Sequence, residues 1–163
     1  MSSSVPESAR HAERLGHGSA GASMQLASQI WRVSSLLTKR MSASAEVADL
    51  QLGEAEVLMA TRVRGDAATT PGDLRTQLNL TSAGITKRID MVEARGLIER
   101  RPNPDDRRSV TLHLTPAGEE LADEVIKAVA TAIEDVTATA LTDVELADTN
   151  RMMAKLGDVL DGE

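Results

Sequence analysis

Apolar positions along this chain keep the period of a helix through most of its length and change to the period of a strand near the middle. Leu26, Ile30, Val33, Leu37 and Met41 follow one another at steps of four, three, four and four, which predicts a helix over residues 23–44. A second helix is expected in GEAEVLMATRVRG, with Val57, Leu58 and Val63 as its apolar positions. In Thr70-Pro71-Gly72-Asp73 a good N-cap precedes a proline at the first helical position and an acid at the third. This opens a short helix with Leu74 and Leu78 inward, stopping at Asn79-Leu80. Thr81 or Ser82 then caps another helix, with Ile85, Ile89 and Val92 inward and Gly96 closing it. Two helices joined by so tight a turn make a helix-turn-helix.

After Gly96 the period falls to two. Residues 97–101 read as one strand, and residues 109–114, which alternate strictly, as its antiparallel partner. Pro102-Asn103-Pro104-Asp105-Asp106 between them is a turn, because proline fixes φ and Asn and Asp bond their own backbone. A hairpin directly behind a helix-turn-helix is a winged helix. Thr115-Pro116 then starts a long helix with Leu121, Val125, Val129, Ile133 and Val136 on one face. Thr142-Asp143-Val144-Glu145 is a capping box for a last helix striped by Met152 or Met153, Leu156 and Leu160.

The expected fold is mainly α with a small β-hairpin wing (α+β), a winged helix-turn-helix between N- and C-terminal helical arms. The expected division is a disordered tail over 1–22, an N-terminal dimerisation helix over 23–49, a DNA-binding region over 50–115 and C-terminal dimerisation helices over 116–163. Arms with apolar stripes and little else to pack against imply a homodimer.

Composition narrows the function. The 163 residues suit one domain and include no cysteine, which excludes disulfides, thiolate metal sites and thiol redox sensing. No spacing among His11, His17 and His113 suggests a metal site, and no phosphate loop or nucleophile motif appears. Neither an enzyme nor a cofactor is expected. No apolar run approaches membrane-spanning length, and the polar N-terminus lacks the apolar centre of a secretory signal, so a cytoplasmic protein is expected. Trp31 is the only aromatic residue, which argues against single-strand recognition by base stacking.

Net charge is -7, yet residues 81–114 carry seven basic against five acidic side chains, while residues 115–163 carry three against twelve. The one positive segment is thus the second helix of the helix-turn-helix together with the wing. Such a footprint points to double-stranded DNA. The N-terminal residues of that helix, Ser82, Ala83, Gly84, Thr86 and Lys87, are the candidates for a major groove, and Arg107 and Arg108 of the wing for an adjacent minor groove. The plainer alternatives are a capping Ser82, a solvated Lys87 and a wing whose Asp and Arg residues pair with each other. A winged helix can also serve protein–protein contact with weak or no specific DNA binding, in which case the wing arginines matter little.

Over some seventy residues the chain resembles the MarR (multiple antibiotic resistance regulator) family of transcription regulators. The matching run is LTSAGITKRIDMVEARGLIERRPNPDDRRSVTLHLTPAGEEL. The resemblance implies a dimeric regulator, a repressor relieved by a ligand, with Arg108 inserted in the minor groove and Asp106 bracing the wing. LQLGEAEVL together with TSAGITKR is most similar to a branch that includes urate-responsive regulators. There an acidic residue of the second helix and two arginines bind or transmit a small anionic or aromatic ligand, and these fall on Glu56, Arg88 and Arg100. The aromatic residue that often precedes the acid is Ala55 here. That branch also uses a tryptophan on an extra N-terminal helix, whereas Trp31, kept as a candidate ligand contact, sits in the main first helix. Arg88 lies about 60° from the centre of its helix's buried stripe, so it can turn inward to Glu56. Two readings of that pair stand: a static structural bridge, or one that an anionic ligand breaks.

Overall fold

A computed structural model describes residues 20–65, 69–104 and 108–162. Among them are six helices and one hairpin: α1 (Ala20–Val47), α2 (Leu52–Val63), α3 (Pro71–Gln77), α4 (Ser82–Ala94), β1 (Ile98–Pro102), β2 (Val110–Leu114), α5 (Pro116–Ala140) and α6 (Asp143–Asp161). This is the mainly helical winged helix expected from the pattern. The described residues fall into two units, divided between Met41 and Ser42 inside α1.

In the first unit, α1 begins at Ala20, so it takes in three residues assigned to the tail; Ala20 and Ala22 are strong helix formers flanking Gly21. The rest of that expected tail, residues 1–19, lies outside the described residues. Met24, Leu26, Ile30, Val33 and Leu36 all stay exposed along this helix.

The second unit holds the core. Val57 and Leu58 of α2, Leu74 of α3, Ile89 and Val92 of α4, Ile98 of β1 and Val125 of α5 are all fully buried. Ala45 joins the same cluster, which is why the last turn of α1 belongs with it. The central element is α2, which packs against α3, α4, α5 and β2. Val63 departs from expectation at 74% exposed, because it closes the last turn of α2 beyond the core. The first turns of α5 are part of this body too, with Gly118, Ala122 and Val125 buried.

The local signals behave as their chemistry dictates. Thr70, Thr81, Thr115 and Thr142 each accept from the backbone N–H three residues on. Asn79 takes φ +50° in the turn between α3 and α4, and Gly96 takes φ +70° after α4. The hairpin runs in antiparallel register from Ile98 opposite Leu114 to Pro102 opposite Val110, one residue later at each end of β1 than expected. Leu112 N–H also donates to the Thr69 carbonyl at 2.7 Å, adding a one-residue third rung that the pattern did not announce. Thr111, on the face expected to be polar and open, is buried and shares a 2.9 Å hydrogen bond with His113 Nε2.

Candidate nucleic-acid interface

The helix-turn-helix is set from its caps upward. Asp73 Oδ2 accepts from both the N–H and the hydroxyl of Thr70 at 2.8 Å, closing the first turn of α3. Those two bonds, with the Arg64 guanidinium 3.6 Å away, hold the Asp73 carboxyl below its ordinary pKa, the Thr70 bonds acting most strongly. Thr81 then caps α4 through Gly84 N–H at 3.1 Å, so the cap is Thr81 rather than Ser82, and Gly84 is half-buried beneath it. Gly84, one of the expected groove residues, thus also serves the cap through its N–H.

Ser82, Ala83, Thr86 and Lys87 are exposed and line one side of an open concavity along α4, continued by Asp90, Met91 and Ala94. Four of the five expected major-groove residues therefore share a face. The Thr86 hydroxyl donates back to the Ser82 carbonyl at 2.9 Å. Among the described residues Lys87 makes no ion pair.

The arginines around α4 point elsewhere. Arg88 turns inward and its Nη1 bonds Glu56 of α2, as the helical angle predicts, with both side chains about two-thirds buried. Gly53 lies beneath it: a Cβ there would meet Arg88 Nε at 3.0 Å. Arg95, past the end of α4, donates to the Asp49 carbonyl at 2.6 Å and lies 3.5 Å from Glu54. Glu54 is 5% exposed and accepts from Gln51 N–H at 2.8 Å, so Arg95 is the countercharge of a buried carboxylate. Sequence reasoning missed both residues, although Gln51 and Glu54 have the spacing of an N-terminal box. Arg100 of β1 does not join Glu56 and Arg88. It bonds Asp90 at 2.6 Å and also Glu93, clasping the wing strand to α4. Trp31, on α1 in the first unit, is 77% exposed.

At the wing, Asn103 N–H donates to the Ser109 carbonyl at 3.2 Å and its side-chain amide to the Ser109 hydroxyl at 2.9 Å. Arg108 is exposed just past this closure. Asp106 and Arg107 lie outside the described residues. Among those described, no three His, Asp or Glu side chains cluster to hold a metal, and no helix is long and apolar enough to cross a membrane.

Comparison with known proteins agrees with this geometry. Residues 48–109 match the model of the MarR family. The multiple antibiotic resistance protein MarR of Salmonella typhimurium is 33% identical over 76 residues, covering 47% of this chain and 51% of that protein. The chain thus spans about half the length of the curated relatives it matches. A cysteine-to-serine variant of Escherichia coli MarR, solved in complex with operator DNA, superposes with a TM-score of 0.71 at 25% identity over 80% of this chain and 92% of that one. AbsC of Streptomyces coelicolor, a MarR family transcriptional regulator, shares the fold at a TM-score of 0.76 and 20% identity, over 86% and 96% of the two chains.

Proposed function

We propose that the chain, whose residues 48–109 match the MarR family, is a cytoplasmic homodimeric repressor that binds a near-palindromic stretch of duplex DNA and is released from it by a small anionic ligand. One observation carries the reading. The outer face of α4 presents Ser82, Ala83, Thr86 and Lys87 to solvent at the N-terminal half of the helix, with the exposed Arg108 of the wing beyond it. A helix so exposed fits a major groove, its first turns meet base edges, and a basic wing suits the flanking minor groove. The operator complex of the E. coli relative supports the same use of this fold. Dimerisation follows from the requirement that two such helices sit about 34 Å apart to read successive major grooves.

Release rests on the Glu56–Arg88 bridge between α2 and α4. An anion that competes for Arg88 gains only by favouring a conformation in which Glu56 is relieved, and that differential affinity is what shifts the DNA lobe. Arg100, already held by Asp90 and Glu93, adds a second guanidinium on the same helix's far side.

The test is a titration onto duplex DNA from upstream of the chain's own gene, against excess unrelated DNA, at several salt concentrations, beside the Arg107→Ala/Arg108→Ala variant. Specific binding with a steep salt dependence, made shallower by the variant, is expected. Urate and other small anionic aromatics are then added to both the wild type and Arg88→Ala; release is expected only where Arg88 is present. Weak, sequence-blind binding at low salt, indifferent to the wing variant, would favour a protein-docking winged helix instead.

A further inference from the structure

Given that α4 is the reading helix, the residues it exposes restrict what it can read. Guanine is most often read by an arginine or lysine reaching O6 and N7, and adenine by asparagine or glutamine. No Asn or Gln occurs in α4. Its arginine, Arg88, is turned to Glu56, and Arg95 behind it is turned to Asp49 and Glu54. Cytosine is read by a carboxylate, but Asp90, the one acid of the face, is held by Arg100 at 2.6 Å. Ser82 and Lys87 remain as polar groups, and both serve a phosphate as readily as a base.

What α4 does offer is small apolar surface. Ala83 contributes its methyl group. Thr86 commits its hydroxyl proton to the Ser82 carbonyl at 2.9 Å, turning that side of the side chain back along the helix. Met91 and Ala94 extend the same strip towards the C-terminus. A methyl strip in a major groove has one specific partner, the C5-methyl group of thymine. Ala83 and Thr86 are separated by three residues, about 4.5 Å along the axis. Successive base pairs are about 3.4 Å apart, so the two side chains match neighbouring steps.

We propose that Ala83 and Thr86 read the C5-methyl groups of thymines at two adjacent base pairs in each half-site, so that specificity within the major groove is apolar rather than donor-and-acceptor. This rests on the regulator reading above. It predicts a protein that tolerates many changes in the hydrogen-bonding pattern of its half-site but not removal of two particular methyl groups.

The experiment begins with duplexes enriched by binding from a random pool. Thymines of the enriched half-site are then replaced one at a time by deoxyuridine, which lacks only the methyl group, and each duplex is titrated with the wild type, Thr86→Ser and Ala83→Gly. Replacement at two adjacent positions is expected to weaken wild-type binding about fourfold each, the effect of exposing one buried methyl-sized group. Thr86→Ser keeps the hydroxyl that bonds Ser82, and should lose the same factor on thymine DNA but almost nothing further on deoxyuridine DNA at its own position. Ala83→Gly should do so at the neighbouring position. An enriched half-site indifferent to deoxyuridine throughout, or one with guanine at both positions, overturns the methyl reading alone. A pool that yields no enriched sequence overturns the regulator reading and this one with it.

Discussion

Gly118 lies where the first turn of α5 crosses the backbone at the root of the wing, and it is the residue whose side chain matters most by being absent. A Cβ there would come to 1.9 Å from the Leu97 carbonyl oxygen, the same oxygen that accepts from Thr115 N–H at 3.0 Å. The contact is with backbone, so no rotamer change relieves it. Gly118→Ala is expected to cost about 1–3 kcal/mol, read as a lower denaturant midpoint, even though alanine is the better helix former. A neutral or stabilising result would mean that α5 is free to shift at this junction.

Carboxylates give a second prediction at this scale. Asp73, Asp123 and Glu145 are all held below their ordinary pKa values, by Thr70, by Arg62 and by Thr142 respectively. A depressed folded pKa means that the stabilisation is complete above the unfolded value and is lost as pH falls through the folded one, so stability should decline below about pH 4. Asp73→Asn should be less stable than wild type at pH 7 and approach it near pH 3, measured by urea unfolding across that range. A constant gap would mean that the Thr70 box acts through shape and not charge. The threonine caps were legible from sequence because their partners are local. The threonine caps are all three residues from the N–H they bind, whereas Arg62 with Asp123 and Arg95 with Asp49 and Glu54 join positions 61, 46 and 41 apart, and nothing along the chain marks them.

Elements were more legible than their edges. The change of period at Gly96 marked the wing, since the pleat of a half-buried strand imposes alternation, but it could not show the Thr69 rung, whose pairing with Leu112 depends on how α2 and α3 meet. For the same reason Thr111 is buried although its place in the alternation assigns it to the open face. Burial is decided by what packs on the hairpin, not by the strand alone. α4 shows a related limit. Helical angles showed that Arg88 can turn inward to Glu56, because this follows from 100° per residue. They could not show that Arg100 comes from the next element to clasp Asp90 and Glu93. That clasp ties the orientation of the wing to the helix in front of it. The wing strand and α4 are thereby joined by ion pairs as well as by packing, and the proposed DNA reading requires the two to keep a fixed spacing.

For the whole molecule, the decisive feature is a helix that buries none of its described residues. No residue of α6 is buried, and Val144, Met152, Met153, Leu156, Val159 and Leu160 all lie exposed on it. Nineteen residues of amphipathic helix that bury no side chain would not hold their form alone, since short isolated helices are marginal in water. The proposed homodimer would cover this surface with a second copy of the chain, the occupant expected from the stripe on its last helix. Because no residue of α6 belongs to the core around Leu58, Leu74 and Ile89, Leu156→Asp/Leu160→Asp leaves that core intact. The variant is expected to sediment as a monomer that retains the cooperative unfolding of that core. Its affinity for a two-half-site duplex should fall by about 10²–10⁴-fold, because linkage of two reading helices is lost. Its affinity for a single half-site should barely change. Sedimentation velocity at micromolar concentration and the two titrations separate the possibilities: a variant that remains dimeric would place the interface elsewhere, and equal losses on both duplexes would mean that α6 supports the DNA lobe directly.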